Sequence, residues 1–432
     1  MRRLVILFLL LAGLQLILPI GSSGAASQWL LTLGFLMLAA YSVGEIASGL
    51  GLPKVVGYLA GGIGFGPAGM NAVTASAITA LEPVSNLAIA LIAFLAGAEL
   101  RWSDVRLLGS TILKILTTEL ALTLVAVTAL LMGLGSRLPF LEGLGTEEQL
   151  ALSFLFACLA VIHSPAVTMA VLSETGARGP IARTSLGVVL VSDVVVVLLF
   201  TAGLAMVRTV VPAGAGAEGV SILSVSWELG GAVLVGAALG GVVALYLRFF
   251  RQELFLFAVM IAFAGAVIAR LLHVEPLLML LAAGFLSENV SAPTDGEALR
   301  HAMERSAAPV FVVFFALAGA AMDISTIAGA WPILVPIVLV RALAIRGGTM
   351  LGARWAGVPE QGRFIWTGLV AQAGVAIGLS AVVTQAYPAR GPLIQTVFLA
   401  TLGLNEMLGA ILFRRALARS GEIQVPGGPV AQ

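Results

Sequence analysis

The chain has 432 residues, 59% of them hydrophobic and only 10% charged, with a formal net charge of +1. Soluble domains carry about a quarter charged residues, and no basic run or aromatic-basic patch points to nucleic acid. A single cysteine, Cys158, excludes a disulfide framework and a thiolate metal cluster, and three histidines are too few and scattered for a multi-histidine metal site.

Apolar runs long enough to cross a bilayer recur along the chain. Residues 1–28 come first: Arg2 and Arg3, an apolar run to Ile20, then Gly24-Ala25-Ala26, which reads either as a signal peptide or as an additional transmembrane helix. Thirteen core spans follow, at about 29–50, 54–70, 82–100, 107–133, 150–174, 184–207, 227–248, 254–271, 275–288, 307–323, 330–353, 364–386 and 393–413. The membrane domain therefore covers 29–416, and 417–432 form a short tail. With the N-terminus in the cytoplasm, sixteen Lys and Arg fall on the cytoplasmic side, four on the outer side, and Lys114, Arg341 and Arg346 within spans. That asymmetry orients the chain as a multi-pass protein of the cell inner membrane with a cytoplasmic C-terminus. The expected fold is all-α, with the core helices divided six, one and six as inverted repeats, an arrangement frequent in secondary transporters.

The fifth span of each half carries a break signal. In the first it is His163-Ser164-Pro165, because Pro lacks a backbone donor and clashes with the preceding turn. In the second it is Gln372-Ala-Gly374, at the matching place. Paired interrupted helices point to a transport site. Between these breaks lies the sixth span, with Ser192-Asp193 in an otherwise apolar run. A charge at membrane depth costs at least about 2.5–3.5 kcal/mol, so Asp193 needs a reason to be there. By helical rise it sits roughly 13 Å from the cytoplasmic edge and Gln372 about 12 Å. His163, entering from the outer side, reaches a similar level, and Ser164 and Thr168 can offer oxygens to a cation. Each also has a structural reading: His163 can bond the broken backbone, and Ser164 and Thr168 can cap it. Arg341 and Glu406 lie at a common depth and are expected to form a structural ion pair; Lys114 and Glu119 are read the same way. Glu45 is placed at an entrance or against a basic loop.

These residues carry a resemblance. Ser164-Pro165-Ala-Val-Thr168 is followed by Glu174, Gly176, Arg178 and Gly179, then by Gly187 to Ser192-Asp193. Leu52-Pro53-Lys54, the glycines 57, 61, 62, 64 and 66, Phe94-Leu-Ala-Gly97-Ala-Glu99, and Asn405-Glu406 with Gly409 and Arg414 agree with it. Over about residues 30–416 the chain resembles the sodium/proton exchanger superfamily, on its Kef-type, bacterial monovalent cation:proton antiporter branch. The resemblance implies a homodimer and two crossed broken helices. It implies a core that carries its ion across the membrane in an elevator-type cycle. It also makes Asp193 the ion-carrying acid, with Ser192, Ser164, Thr168 and His163 around it and Pro165, Gln372 and Gly374 at the crossover. No cofactor is implied; the transported ions are Na⁺ or K⁺ and H⁺. Ser192 stands where relatives keep Asp, Asn or Gln, His163 where they keep a small hydroxyl residue, and Phe311–Met322 lacks the lysine of electrogenic relatives. The regulatory nucleotide-binding domain of Kef systems is not expected in this chain. One acid without that lysine favours electroneutral exchange. The other readings are cation- or proton-coupled transport of an organic solute, and a non-exchanging sensor or channel.

Overall fold

The computed structural model describes residues 25–99, 102–210, 222–250, 253–322, 324–372, 375–387 and 389–423. Residues 1–24, most of the proposed signal peptide or extra helix, lie outside the described residues, as do Gly374 and 424–432 of the tail. The described elements are helices: α1 Ala25–Gly49, α2 Lys54–Phe65, α3 Ala75–Ala80, α4 Glu82–Ala98, α5 Trp102–Leu134, α6 Thr146–Ala160, α7 Pro165–Thr175, α8 Pro180–Val210, α9 Ile222–Phe249, α10 Leu254–Leu272, α11 Pro276–Val290, α12 Pro293–Ala320, α13 Ile324–Trp355, α14 Pro359–Gly368, α15 Val375–Ala386 and α16 Gly391–Arg419, with a 3₁₀ turn at Gly135–Arg137. Eight spans are long and apolar enough to cross a membrane, with α6 and α7 together making one of them.

Helix boundaries depart from the sequence expectation in three places. The second core span ends at Phe65, not at 70, because Gly66-Pro67 stops the helix and the chain turns through Asn71 into Thr74, which caps α3. The span expected at 307–323 begins at Pro293, where charged residues conceal a continuous helix from a hydropathy reading. The next helix starts at Ile324 and runs through Pro332 and Pro336.

Contacts between loops define two ends of the bundle. Lys54 N–H donates to Glu174 Oε2 (2.7 Å), Trp102 N–H to Asn289 Oδ1 (2.6 Å) and Ile181 N–H to Glu422 Oε1 (2.7 Å), at one end. At the other, Arg390 Nη1 donates to Phe140 O (3.2 Å) and Trp227 Nε1 to Leu272 O (2.9 Å).

The internal repeat is written into the packing. Helix α2 packs on α12 and α4 packs on α11, with each pair meeting at glycines. A Cβ at Gly62 would strike Ala316 O and one at Gly319 would strike Leu59 O; likewise Gly284 faces Phe94 O and Gly97 faces Leu281 O. Gly62 and Gly284 are 222 residues apart, and so are Gly97 and Gly319. The same spacing relates Leu95-Ala-Gly-Ala98 to Leu317-Ala-Gly-Ala320. Helices α2 and α11 begin 222 residues apart, as do α5 and α13. Helix α2 starts at the Lys54 end and α11 at the opposite one, so the second set is inverted. Small residues at such crossings let backbones approach closely, the usual basis of helix association in a bilayer.

Packing also sorts the helices into two groups. Helices α5–α8 and α13–α16 pack on one another, and α1–α4 with α9–α12 form a second set. Between them contact runs mainly through α7, which touches α2, α4 and α12, and through α16 and α8.

Candidate functional site

The first break lies between α6 and α7. Residues Val161 to Ser164 leave the helix, Ser164 Oγ accepts Val167 N–H (3.1 Å) as N-cap, and Pro165 takes the first helical position, where its missing N–H costs nothing. The second break lies between α14, which ends at Gly368, and α15, which starts at Val375. Breaking a helix frees carbonyls, and in an apolar interior each needs a donor. Three buried side chains supply them. Arg341 Nε donates to Ala160 O (2.5 Å), Nη1 to Val370 O (2.5 Å) and Nη2 to Ile162 O (3.0 Å). Gln372 Nε2 lies 3.3 Å from Leu159 O and 3.2 Å from Ala160 O, while its Oε1 accepts Asn405 Nδ2 (2.8 Å). His163 Nδ1 lies 2.7 Å from Leu369 O. Thr168 Oγ1 donates more weakly to Gly368 O (3.4 Å). The two unwound segments are thus bonded across one another, and every side chain in this set is buried.

Asp193 and Ser192 stand one helix away, on α8. Ser192 Oγ donates to Val189 O (2.6 Å), a bond within its own helix. Asp193 is partly buried, and its Oδ1 is buried with no hydrogen-bond partner. No hydrogen bond joins either residue to the crossover among the described residues. An unpartnered buried carboxylate oxygen requires a proton or a cation to offset its lost hydration. A cleft of about 270 Å³ opens between α4 and the α7–α8 corner, lined by Glu99, Met169, Ser173, Arg178 and Leu186 among others. Leu186 lies two helical turns before Asp193 on the same side of α8, so the cleft points along the stripe that holds the acid.

Two expected pairs do not form. Arg341 is committed to three carbonyls, and both carboxylate oxygens of Glu406 are buried without a partner. Common depth brought them together on paper, but depth says nothing about which way each helix faces. Glu406 lies on α16 between Gly403, which meets Met322, and Gly409, which meets Ala371 beside the second break. Lys114 lies 5.7 Å from the Trp355 ring centroid, a cation–π arrangement, and Glu119 turns instead to His163. Glu45 pairs with Lys54.

His163 is engaged at both ring nitrogens. Nε2 lies 3.2 Å from Glu119 Oε2, and Thr123 Oγ1 donates to Glu119 Oε1 (2.9 Å). Neither nitrogen is free to ligate a cation, which corrects the placement of His163 among the ion ligands.

A family model described as "Sodium/hydrogen exchanger, transmembrane" matches residues 33–414. The chain belongs to the sodium/hydrogen exchanger family. It superposes on the sodium proton antiporter MjNhaP1 from Methanocaldococcus jannaschii at pH 8 with a TM-score of 0.68 and 14% identity, covering 92% of this chain and 97% of that one. A second structure of MjNhaP1, from electron microscopy, gives a TM-score of 0.68 at 16% identity, over 91% and 98% of the two chains. Among curated proteins it is similar to the iron transporter MagA of Paramagnetospirillum magneticum, 30% identical over 161 residues, or 37% of this chain. The match spans about a third of that protein, 34% of its length. Family and fold are those of transporters, not of enzymes.

The partners of Glu119 and Asn405 were missed in the sequence. The 222-residue spacing from Glu119 to Arg341 marks these two as repeat-related but carries no sign of His163 and Thr123, which Glu119 meets.

Proposed function

We propose that this protein exchanges a monovalent cation, Na⁺ or K⁺, for protons across the membrane, with Asp193 holding one or the other in turn. The unpartnered Oδ1 of Asp193, buried beside two crossed broken helices in a chain of this family, carries that reading. Ser164 and Thr168, with Ser192 beside the acid, offer hydroxyl oxygens, and hard oxygen ligands suit alkali cations. The carbonyls Leu159, Ala160, Ile162, Leu369 and Val370 already hold a side-chain partner, so Asp193 supplies the one ionised ligand. One acid, with apolar residues along Phe311–Met322, supports one-for-one, electroneutral exchange. The two packing groups support a rigid core, α5–α8 with α13–α16, moving against the rest of the bundle in an elevator-type cycle. By the same family likeness the protein is a homodimer. It sits in the inner membrane with the Lys54 end and the C-terminus in the cytoplasm.

The test is exchange in proteoliposomes holding a pH dye, with an imposed proton gradient and Na⁺, K⁺ and Li⁺ added in turn. Release of protons by one of these cations, unchanged when the membrane potential is clamped at different values, is expected. Exchange driven by potential alone would contradict electroneutrality. Silence to all three, with proton movement on addition of an organic solute, would move the assignment to solute transport.

A further inference from the structure

We propose that Glu119 is a positioning residue for transport, acting through His163, and that it is the repeat-related counterpart of Arg341. This rests on the exchange reading above. Glu119 on α5 and Arg341 on α13 are 222 residues apart, the spacing that relates Gly62 to Gly284 and Gly97 to Gly319. Their helices pack closely: Thr118 Oγ1 donates to Gly348 O (2.8 Å), and a Cβ at Gly348 would strike Glu119 Cα. Both side chains are buried and both turn toward the crossover. Arg341 grips it directly, bonding Ala160 O and Ile162 O of the first break and Val370 O of the second. Glu119 grips it through an intermediary. Its Oε2 holds His163 Nε2 of the first break, and His163 Nδ1 holds Leu369 O of the second.

The chemistry fixes the imidazole. Leu369 O can only accept, so Nδ1 carries a proton. One further proton lies between Nε2 and Glu119, and the pair is neutral as a whole whichever of the two holds it. Thr123 occupies the other carboxylate oxygen. Every polar atom of this arm is therefore satisfied, the condition under which a buried network rigidifies its surroundings. His163 adjoins Ser164, so the arm fixes where the Ser164 and Thr168 hydroxyls stand. Without it, the second break would keep Arg341 and Gln372 but lose the strut at Leu369.

The experiment compares wild type, Glu119→Gln, His163→Gln and the double variant, reconstituted in liposomes, by two readouts. The first is hydrogen–deuterium exchange over 159–172 and 366–380. Each single variant is expected to speed exchange in both segments, including the second, which Glu119 does not touch. The second readout is cation-driven proton release. Each single variant is expected to raise KM for the cation by roughly tenfold with Vmax little changed, and the double variant to be no worse than either single, because the two residues act as one unit. Additive effects, or loss of protection confined to the first segment, would overturn the proposal. If wild type itself moves no protons with any cation, the exchange reading fails, while the deuterium comparison still decides the positioning role.

Discussion

Arg341 is committed on both sides of the crossover. Its guanidinium fork serves three carbonyls on two unwound segments, a task that an ammonium on a flexible stem does not reproduce. Arg341→Lys is therefore expected to destabilise the protein clearly. Arg341→Met should cost more, on the order of 3 kcal/mol or above, since the buried Ile162 O and Val370 O would lose their donor and Ala160 O would keep only Gln372. Thermal unfolding in detergent measures both, and an unchanged midpoint for the Met variant would contradict the account. The crossover was half legible at this scale. Pro165 announces a break by its missing donor, and Gln372 announces polarity in an apolar helix. Which groups meet there was not legible, because the Arg341–Glu406 pairing was inferred from depth, while contact depends on the direction each helix faces. His163 shows the same limit: a histidine next to a break is readable as a partner of the freed backbone, but its second partner is 44 residues away on another helix.

Among the elements, α8 is set at its start by the far end of the chain. Glu422 Oε1 and Oε2 accept Ile181 N–H (2.7 Å) and Ala182 N–H (2.9 Å), and a Cβ at Gly179 would occupy the place of that carboxylate. A charged cap at a helix N-terminus satisfies free donors and complements the helix dipole. Glu422→Ala is expected to lower stability by about 1 kcal/mol, and Gly179→Leu to do the same by expelling the carboxylate. The two together should be no worse than one, as read by thermal unfolding; independent losses would show that the cap is not their common cause. Glu422 lay in what sequence reading took for a plain tail, since no local pattern ties it to residue 181. The crossings of α2 with α12 and of α4 with α11 were likewise hidden. Their signal is a 222-residue spacing of glycines and a four-residue identity, too sparse to stand out before the contacts show which glycines matter. Gly97→Leu is expected to abolish folding through collision with Leu281 O, whereas Gly34→Leu, with open space around it, should be tolerated. Yield of monodisperse protein distinguishes them.

At the scale of the whole molecule, the helical elements follow one another in the order that hydropathy implied, because a bilayer enforces the length of each span strongly; eight described spans are long and apolar enough to cross, with shorter apolar helices between them. What hydropathy does not encode is the division into two packed groups joined mainly through α7, α8 and α16. Asp193, both breaks, Arg341 and Glu119 all belong to one group, so the site would travel as a unit. The contact of Lys54 N–H with Glu174 Oε2 bridges the two groups and would have to open in the proposed elevator-type cycle. A cysteine pair that locks α2 to the α7 end is expected to stop transport on oxidation and restore it on reduction; undiminished transport while locked would argue against relative motion of the groups.

Whether Asp193 carries the ion is decided by cation-driven proton release from proteoliposomes, with wild type and Asp193→Asn measured side by side. Release is expected with the wild type and none with the variant, at equal amounts of folded protein. Equal release from both would show that another group carries the ion and would contradict the site proposed at Asp193.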